Sequence, residues 1–424
     1  MSFSGDSYFL TIVFFIIMSS EEELMRVVKK FGGSSVATTE KIKNIAMDIA
    51  KNYKEGDEVV IVVSAMGKTT DALIKLAKEI SDTPDVRELD SLLSTGEQQT
   101  TSLLSMALKE QGCKAISLTG AQAGIRTGGV HTKNKIESIK IDRIEKHLED
   151  RRIVIVAGFQ GINEDGDVTT LGRGGSDTSA VALAAALKCD CEIYTDVTGI
   201  FGVDPRVYKN AKKLEKISYE EMMEMANLGA GVMETRAVEI GKKYGVRIYV
   251  GQTLGVETGT YICDSNEIIE KKAVTGISIN KNVIMVNLEN FSGIPKNVAT
   301  VFNNLAKHSV NVDMISQNEV QNIKGSIGFT CPLTDDHFLN NSLEDIRKEI
   351  PSIEVTKRTG VVKISLVGIG MISNFGVAAK VFEVLADIDA EFYQCTTSEI
   401  SISLIIKEDE AVKVVERLAE VFSI

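Results

Sequence analysis

The chain has 424 residues, 44% of them hydrophobic and 25% charged, enough apolar material for a large core and for two or three domains. Its formal net charge of -12 argues against nucleic acid as a partner, because such binding rests on clustered Lys and Arg neutralising phosphates. Six cysteines are scattered with no Cys-x-x-Cys pair, so reduced thiols in a cytoplasm are expected. Cys189 and Cys191 have no second pair or nearby His to complete four ligands; they read as core thiols flanking a strand, and no protein-held metal is expected.

Residues 1–24 contain an apolar run from Tyr8 to Met18, interrupted only by Thr11. It has no basic residues before it, as a signal peptide requires, and falls short of the roughly 20 apolar residues of a spanning helix. With a second candidate start at Met18, the segment is set aside as a disordered extension or misassigned start, and no membrane partner is expected.

From Arg26 to about Val250, β-branched runs alternate with amphipathic helical stretches, the pattern of parallel strands joined by crossover helices. Strands are expected at 26–29, 59–63, 114–118, 153–156, 191–195 and 246–250. All six are nearly continuous apolar runs, so helices must cover both sheet faces, which predicts a three-layer αβα sandwich with a mostly parallel sheet. Lys30-Phe31-Gly32-Gly33-Ser34-Ser35 closes the first strand and leads into a helix. Glycines there let backbone amides approach phosphate oxygens and a lysine supplies positive charge, although a Gly-Gly turn after a strand is also simply a tight turn.

A second glycine-rich loop, Leu171-Gly172-Arg173-Gly174-Gly175-Ser176-Asp177, runs into an alanine-rich helix. Three glycines strip away side chains around Arg173, which is suited to grip a carboxylate or phosphate with two hydrogen bonds. Ser176 and Asp177 fall where the helix would be capped or where substrate would be touched. Two other motifs fail. Gly67-Lys68-Thr69 lacks the P-loop's earlier glycine, since Val62 stands there, and Gly368-Ile369-Gly370 ends in Ser373 where a dinucleotide fingerprint needs Gly or Ala.

After Ala273 an internal repeat appears: Val301-Phe302-Asn303-Asn304-Leu305-Ala306 recurs as Val381-Phe382-Glu383-Val384-Leu385-Ala386, and Glu319-Val320 as Glu399-Ile400. Each copy reads strand, Gly-containing loop, helix, strand, turn, strand, helix. The repeat resembles paired βαββαβ ACT units, with a strand near 274–279 available to complete the second. The loop at 368–373 pairs with Ser292-Gly293 as a repeated effector loop. The expected domains are 25–270, 271–350 and 351–424.

Taken together, Lys30 to Val36, Val63-Ser64-Ala65-Met66-Gly67, Ser94-Thr95-Gly96-Glu97, Thr119 to Ile125, Thr169 to Asp177 and Thr195 to Arg206 resemble the aspartate kinases of the amino-acid kinase superfamily. One departure is Gly231-Val232-Met233-Glu234-Thr235, where many relatives read Lys-Val-Leu-His-Pro; this leaves one nucleotide contact unassigned. The resemblance implies transfer of the ATP γ-phosphoryl group to the β-carboxylate of aspartate, with Mg2+ carried by the nucleotide. It implies that Lys30 and the amides of Gly32 and Gly33 face the transferring group, and that Asp177 orients Lys30 or meets the substrate amine. Arg173 would hold the α-carboxylate and Glu97 the amino group, with Ser64, Thr69 and Ser176 lining the pocket. Ser34, Thr195, Asp196, Phe201 and Arg206 would serve the nucleotide. Ser292, Gly293, Asn297 and Asp313 would contact an amino-acid effector, lysine first and threonine second, in a homo-oligomer joined through the ACT units. No dehydrogenase segment is expected after Ile424. The alternatives are another carboxylate or phosphate kinase of the same fold, which would lack the tandem repeat, and a sensor that has lost turnover.

Overall fold

The computed structural model describes residues 25–269, 272–291, 294–319 and 325–424. The expectations for residues 1–24 and for Ser292, Gly293 and Val320 lie outside the described residues. The chain divides into two compact units, one ending at Asp196 and the other beginning at Val197.

The first unit is built on strands β1 (Arg26–Phe31), β2 (Glu58–Val63), β3 (Ala115–Leu118), β6 (Ile153–Ala157) and β9 (Asp190–Thr195). They run parallel in the order β9-β1-β2-β6-β3. All five residues of β6 and the last five of β2 are buried, which requires cover on both faces. On one face, helices Thr39–Asn52 and Val86–Glu110 pack Ile42, Ile45, Leu104 and Leu108 against Val27, Val59 and Ile155. Helix Gly175–Leu187 covers the other face; its Ala-rich sequence is buried almost all round, as befits a helix without a polar side. Each fully buried Val, Leu or Ile contributes about 1.5–3 kcal/mol. The expected three layers and parallel sheet are therefore present.

A smaller sheet accompanies them: β4 (Ile125–Gly128), β5 (Lys135–Ile139), β7 (Gln160–Ile162) and β8 (Val168–Thr170), in the order β5-β4-β7-β8. The sequence reading did not anticipate it.

In the second unit β10 (Lys216–Ser218) and β11 (Ile248–Gln252) flank β12 (Thr260–Cys263), with β11 antiparallel to β12. Two antiparallel sheets follow. One has the order β15-β16-β14-β17, from β14 (Ile284–Phe291), β15 (Ile315–Glu319), β16 (Gly325–Cys331) and β17 (Glu354–Arg358). The other has the order β13-β18-β20-β19, from β13 (Gly276–Asn280), β18 (Val361–Val367), β19 (Phe392–Thr397) and β20 (Ser401–Lys407). Helices Pro295–Lys307 and Asp336–Glu349 pack on the first sheet, Val377–Asp387 and Ala411–Phe422 on the second. Because β13 pairs with β18, the segment from β14 to β17 is inserted within the second repeat.

Glu221 fastens one end of the β13–β18 pair. It is 2% exposed and closes a capping box with Ser218 at the start of helix Tyr219–Asn227, while its other oxygen accepts from Thr275 Oγ1 at 2.7 Å and the Ile369 amide at 3.0 Å. The loop after β18 is closely packed at its two glycines. A Cβ on Gly368 would fall 2.3 Å from the Ala273 carbonyl oxygen, and one on Gly370 2.1 Å from that of Lys272. Replacing Glu221 by alanine strands several buried donors and is expected to cost about 2–4 kcal/mol. A thermal melt of the full chain unchanged within a degree would contradict this.

Candidate active site

The carboxyl ends of β1, β2 and β6 lie side by side, and there the backbone gives way to loops. The Ser64 amide donates to the Phe31 carbonyl and the Gly158 amide to that of Val63, both at 3.1 Å. In an open parallel sheet this is where ligands bind.

Lys30, the penultimate residue of β1, is 7% exposed. Its Nζ lies 2.5 Å from Oδ1 of Asp177, a contact of opposite charges rather than an aligned hydrogen bond. Asp177 stands in the first turn of helix Gly175–Leu187, whose N-cap is Gly174 at φ 64°. Asp177 is therefore not the cap; it holds Lys30. Ser176 is buried beside Gly158, where a Cβ would fall 2.9 Å from its Oγ. Arg173, at the exposed apex of the preceding loop, has no ion-pair partner among the described residues.

The two glycines after Lys30 differ in what they do. The Gly32 amide donates to the Tyr194 carbonyl at 3.1 Å, so it is not available to a phosphate; this corrects the pairing of both amides as anion donors. A Cβ on Gly32 would sit 3.5 Å from Lys30 Nζ, an ordinary contact. The Gly33 and Ser34 amides have no acceptor among the described residues. A Cβ on Gly33 would come 3.0 Å from the Ala65 carbonyl oxygen, so glycine lets the 64–68 loop close over this turn. Ser34 is exposed.

Glu97 is on the long helix Val86–Glu110 and is 3% exposed. Gly96 makes its position reachable, since a Cβ there would fall 2.8 Å from that of Ala65. Glu97 Oε1 accepts the Ala65 amide at 3.0 Å, while Oε2 is buried without a hydrogen-bond partner among the described residues. Burial pushes its carboxyl up to about 7. Beside it, Thr69 opens helix Thr69–Ile80 and donates to the Met66 carbonyl at 2.7 Å, and Ser64 is half-buried. Lys30, Gly33, Ser64, Thr69, Glu97, Ser176 and Asp177 thus lie around neighbouring strand ends, all within the first unit.

Thr195 and Asp196 close that unit, with Thr195 Oγ1 donating to Asp196 Oδ1 at 3.1 Å. Phe201 and Arg206 belong to the second unit. There Arg206 is 89% exposed at its side chain and binds both oxygens of Asp204 through Nε, at 3.0 and 3.1 Å. Asp313 is half-exposed and ion-paired with the buried Lys363, so its carboxylate already has an ammonium partner; Asn297 lies in the first turn of helix Pro295–Lys307. Burial raises the Cys189 thiol to about 12 and that of Cys191 well above its ordinary value, which keeps both neutral. Sequence reasoning missed Glu221 and the buried Asp90, since a lone acid in a helix carries no signal of its burial.

Among the described residues no helix is long and apolar enough to cross a membrane. Residues 25–252 match the amino acid kinase family and residues 364–422 match the ACT domain. The aspartokinase of Geobacillus stearothermophilus is 48% identical over 399 residues, covering 94% of this chain and 97% of that one. Aspartokinase 2 of Bacillus subtilis is 47% identical, covering 94% and 98%. Among solved structures, E. coli aspartokinase III in complex with lysine and aspartate is similar with a TM-score of 0.74 at 25% identity, covering 93% of this chain and 99% of that chain.

Proposed function

The chain belongs to the amino acid kinase family and is an ATP-dependent kinase of the aspartokinase kind, and on that premise we propose that it phosphorylates the β-carboxylate of L-aspartate, giving 4-phospho-L-aspartate at the head of lysine, threonine and methionine synthesis. The observation that carries the reading is the buried Lys30 held by Asp177, which shares a loop and helix start with Arg173, a guanidinium without an ion pair among the described residues.

The acceptor carboxylate is already ionised at neutral pH, so no general base is needed; the protein must hold two anions in line and offset charge on the moving phosphoryl group. Lys30 and the Gly33 and Ser34 amides suit that task. A cationic, amide-rich site whose carboxylate is engaged by Lys30 fits a nucleotide that brings Mg2+ on its own phosphate oxygens, where the metal neutralises charge. Arg173 holds the α-carboxylate, and the free oxygen of Glu97 receives the substrate ammonium beside Ser64 and Thr69. ADP release with aspartate, ATP and Mg2+ tests the assignment, glutamate serving as the competing acceptor; faster turnover of glutamate would reverse it.

Glu97 makes the reaction pH-sensitive in a defined direction. Its raised pKa leaves it protonated below about 7, and a neutral carboxyl cannot pair with an ammonium. KM for aspartate should therefore rise about tenfold from pH 8 to pH 6. In Glu97→Gln it should be high and flat across that range; a parent enzyme with a flat profile contradicts the role.

The C-terminal repeat receives an end-product amino acid, lysine first and threonine second, and joins two copies of the chain. Exposed Phe382 and Phe392, 5.4 Å apart on the second sheet's unit, support such an interface. Six free thiols agree with a cytoplasmic location. Lysine at millimolar concentration should lower the rate through different affinities for two arrangements of the protein. Equal rates with and without lysine, threonine and methionine would remove the regulatory part.

A further inference from the structure

The carboxylate of Asp90 lies outside the site described above, yet it is the most fully engaged acid among the described residues of the first unit. It sits on helix Val86–Glu110 at 0% exposure. Nδ1 of His131 is 2.7 Å from Oδ2, the Thr132 amide donates to both oxygens at 3.0 and 3.1 Å, and Thr170 Oγ1 donates to Oδ1 at 2.5 Å. Burying a carboxylate costs several kcal/mol, offset only when its lone pairs are filled, as they are here.

These donors share a location. His131 and Thr132 form the tip between β4 and β5, and Thr170 ends β8, from which the Arg173 loop departs. Tip and strand are joined again by the Asn134 amide, which donates to the Thr170 carbonyl at 3.1 Å. Thr132 is held in the left-handed region at φ 69°, a cost for a β-branched residue that the Asp90 bonds offset. Its carbonyl oxygen lies 3.2 Å from where a Cβ on Gly172 would project, and Gly172 adjoins Arg173. From the other side the Leu171 amide donates to the carbonyl of Phe159, itself at φ 68°, at 2.9 Å. The loop is thus framed on both flanks, while among the described residues the guanidinium at its apex has no ion-pair partner to aim it.

We propose that Asp90 is a positioning residue for Arg173: it fastens the 130–134 tip and Thr170 to the helix, and the tip bears on Gly172, so that the guanidinium meets the substrate carboxylate in one orientation. This rests on the reading of Arg173 as the carboxylate clamp.

The test is steady-state kinetics on the full chain for Asp90→Asn, His131→Gln, Thr170→Val, Arg173→Lys and the Asp90→Asn/Arg173→Lys double variant, with melting curves. Asp90→Asn should raise KM for aspartate about tenfold and the two single-donor variants about threefold, with KM for ATP within about twofold. In the Arg173→Lys background, Asp90→Asn should add less than about twofold, because the clamp it positions is already lost. A merely structural role would lower stability and active fraction, leave the aspartate KM alone and act additively; either result overturns the proposal. Should Asp90→Asn not fold, the His131 and Thr170 variants decide by the same KM criterion. An unchanged aspartate KM in Arg173→Lys overturns the clamp reading and this inference with it, whereas silent Asp90, His131 and Thr170 variants beside a damaged Arg173→Lys overturn this inference alone.

Discussion

Replacing Lys30 by alanine is expected to lower kcat by at least about a thousandfold while leaving the fold in place. The side chain is 7% exposed and its ammonium is fixed against Asp177 at 2.5 Å, so it is aimed before substrate arrives and pays little reorganisation when charge moves. In a site shielded from water a single donor to a developing charge is worth about 3–4 kcal/mol, and a full charge at least that. Asp177 would be left without its cation, with its side chain 15% exposed, which costs some stability. Lys30→Met, which keeps the length, paired with Asp177→Asn, separates the two effects: kcat should stay low although the stranded charge is gone. A wild-type kcat in either Lys30 variant would falsify the role.

The second large effect is expected at Arg173. Substituting lysine keeps the charge but loses the planar fork that grips a carboxylate with two parallel bonds, so KM for aspartate should rise about a hundredfold, equivalent to about 2.7 kcal/mol. KM for ATP should move little. Because Arg173 is exposed and makes no ion pair among the described residues, the substitution leaves no buried group unsatisfied, and the melting temperature should hold. Parallel rises in both KM values would instead mean that the loop as a whole has shifted.

Much of the fold was legible because burial leaves a compositional mark. Val59 to Val63 and Ile153 to Val156 are unbroken β-branched apolar runs, the mark of a strand covered on both faces. The small sheet escaped notice because its strands are three to five residues long and β5 is exposed at Lys135, Glu137 and Ser138, so no hydrophobic period marks it. Lys30 and Arg173 stood out through their glycines, yet the sequence could not show that the Tyr194 carbonyl takes the Gly32 amide, since that depends on which strand lies alongside β1. For the same reason Lys363 as the partner of Asp313, 50 residues away in the chain, is a fact of the fold that no motif carries. Asp90 and Glu221 show the limit from the other side: each is one acid in a helical stretch, indistinguishable in composition from a solvated one, and each proves to be the centre of a buried hydrogen-bond set.

The most direct test of carboxylate phosphorylation is to trap the product. An acyl phosphate reacts with hydroxylamine to give a hydroxamate and release phosphate, whereas a phosphate ester or a phosphorylated amine does not. With aspartate, ATP, Mg2+ and hydroxylamine, aspartyl hydroxamate should form in equal amount to ADP, and both should vanish in Lys30→Met. ADP accumulating without hydroxamate, or hydroxamate forming as fast in Lys30→Met as in the parent chain, would contradict the account.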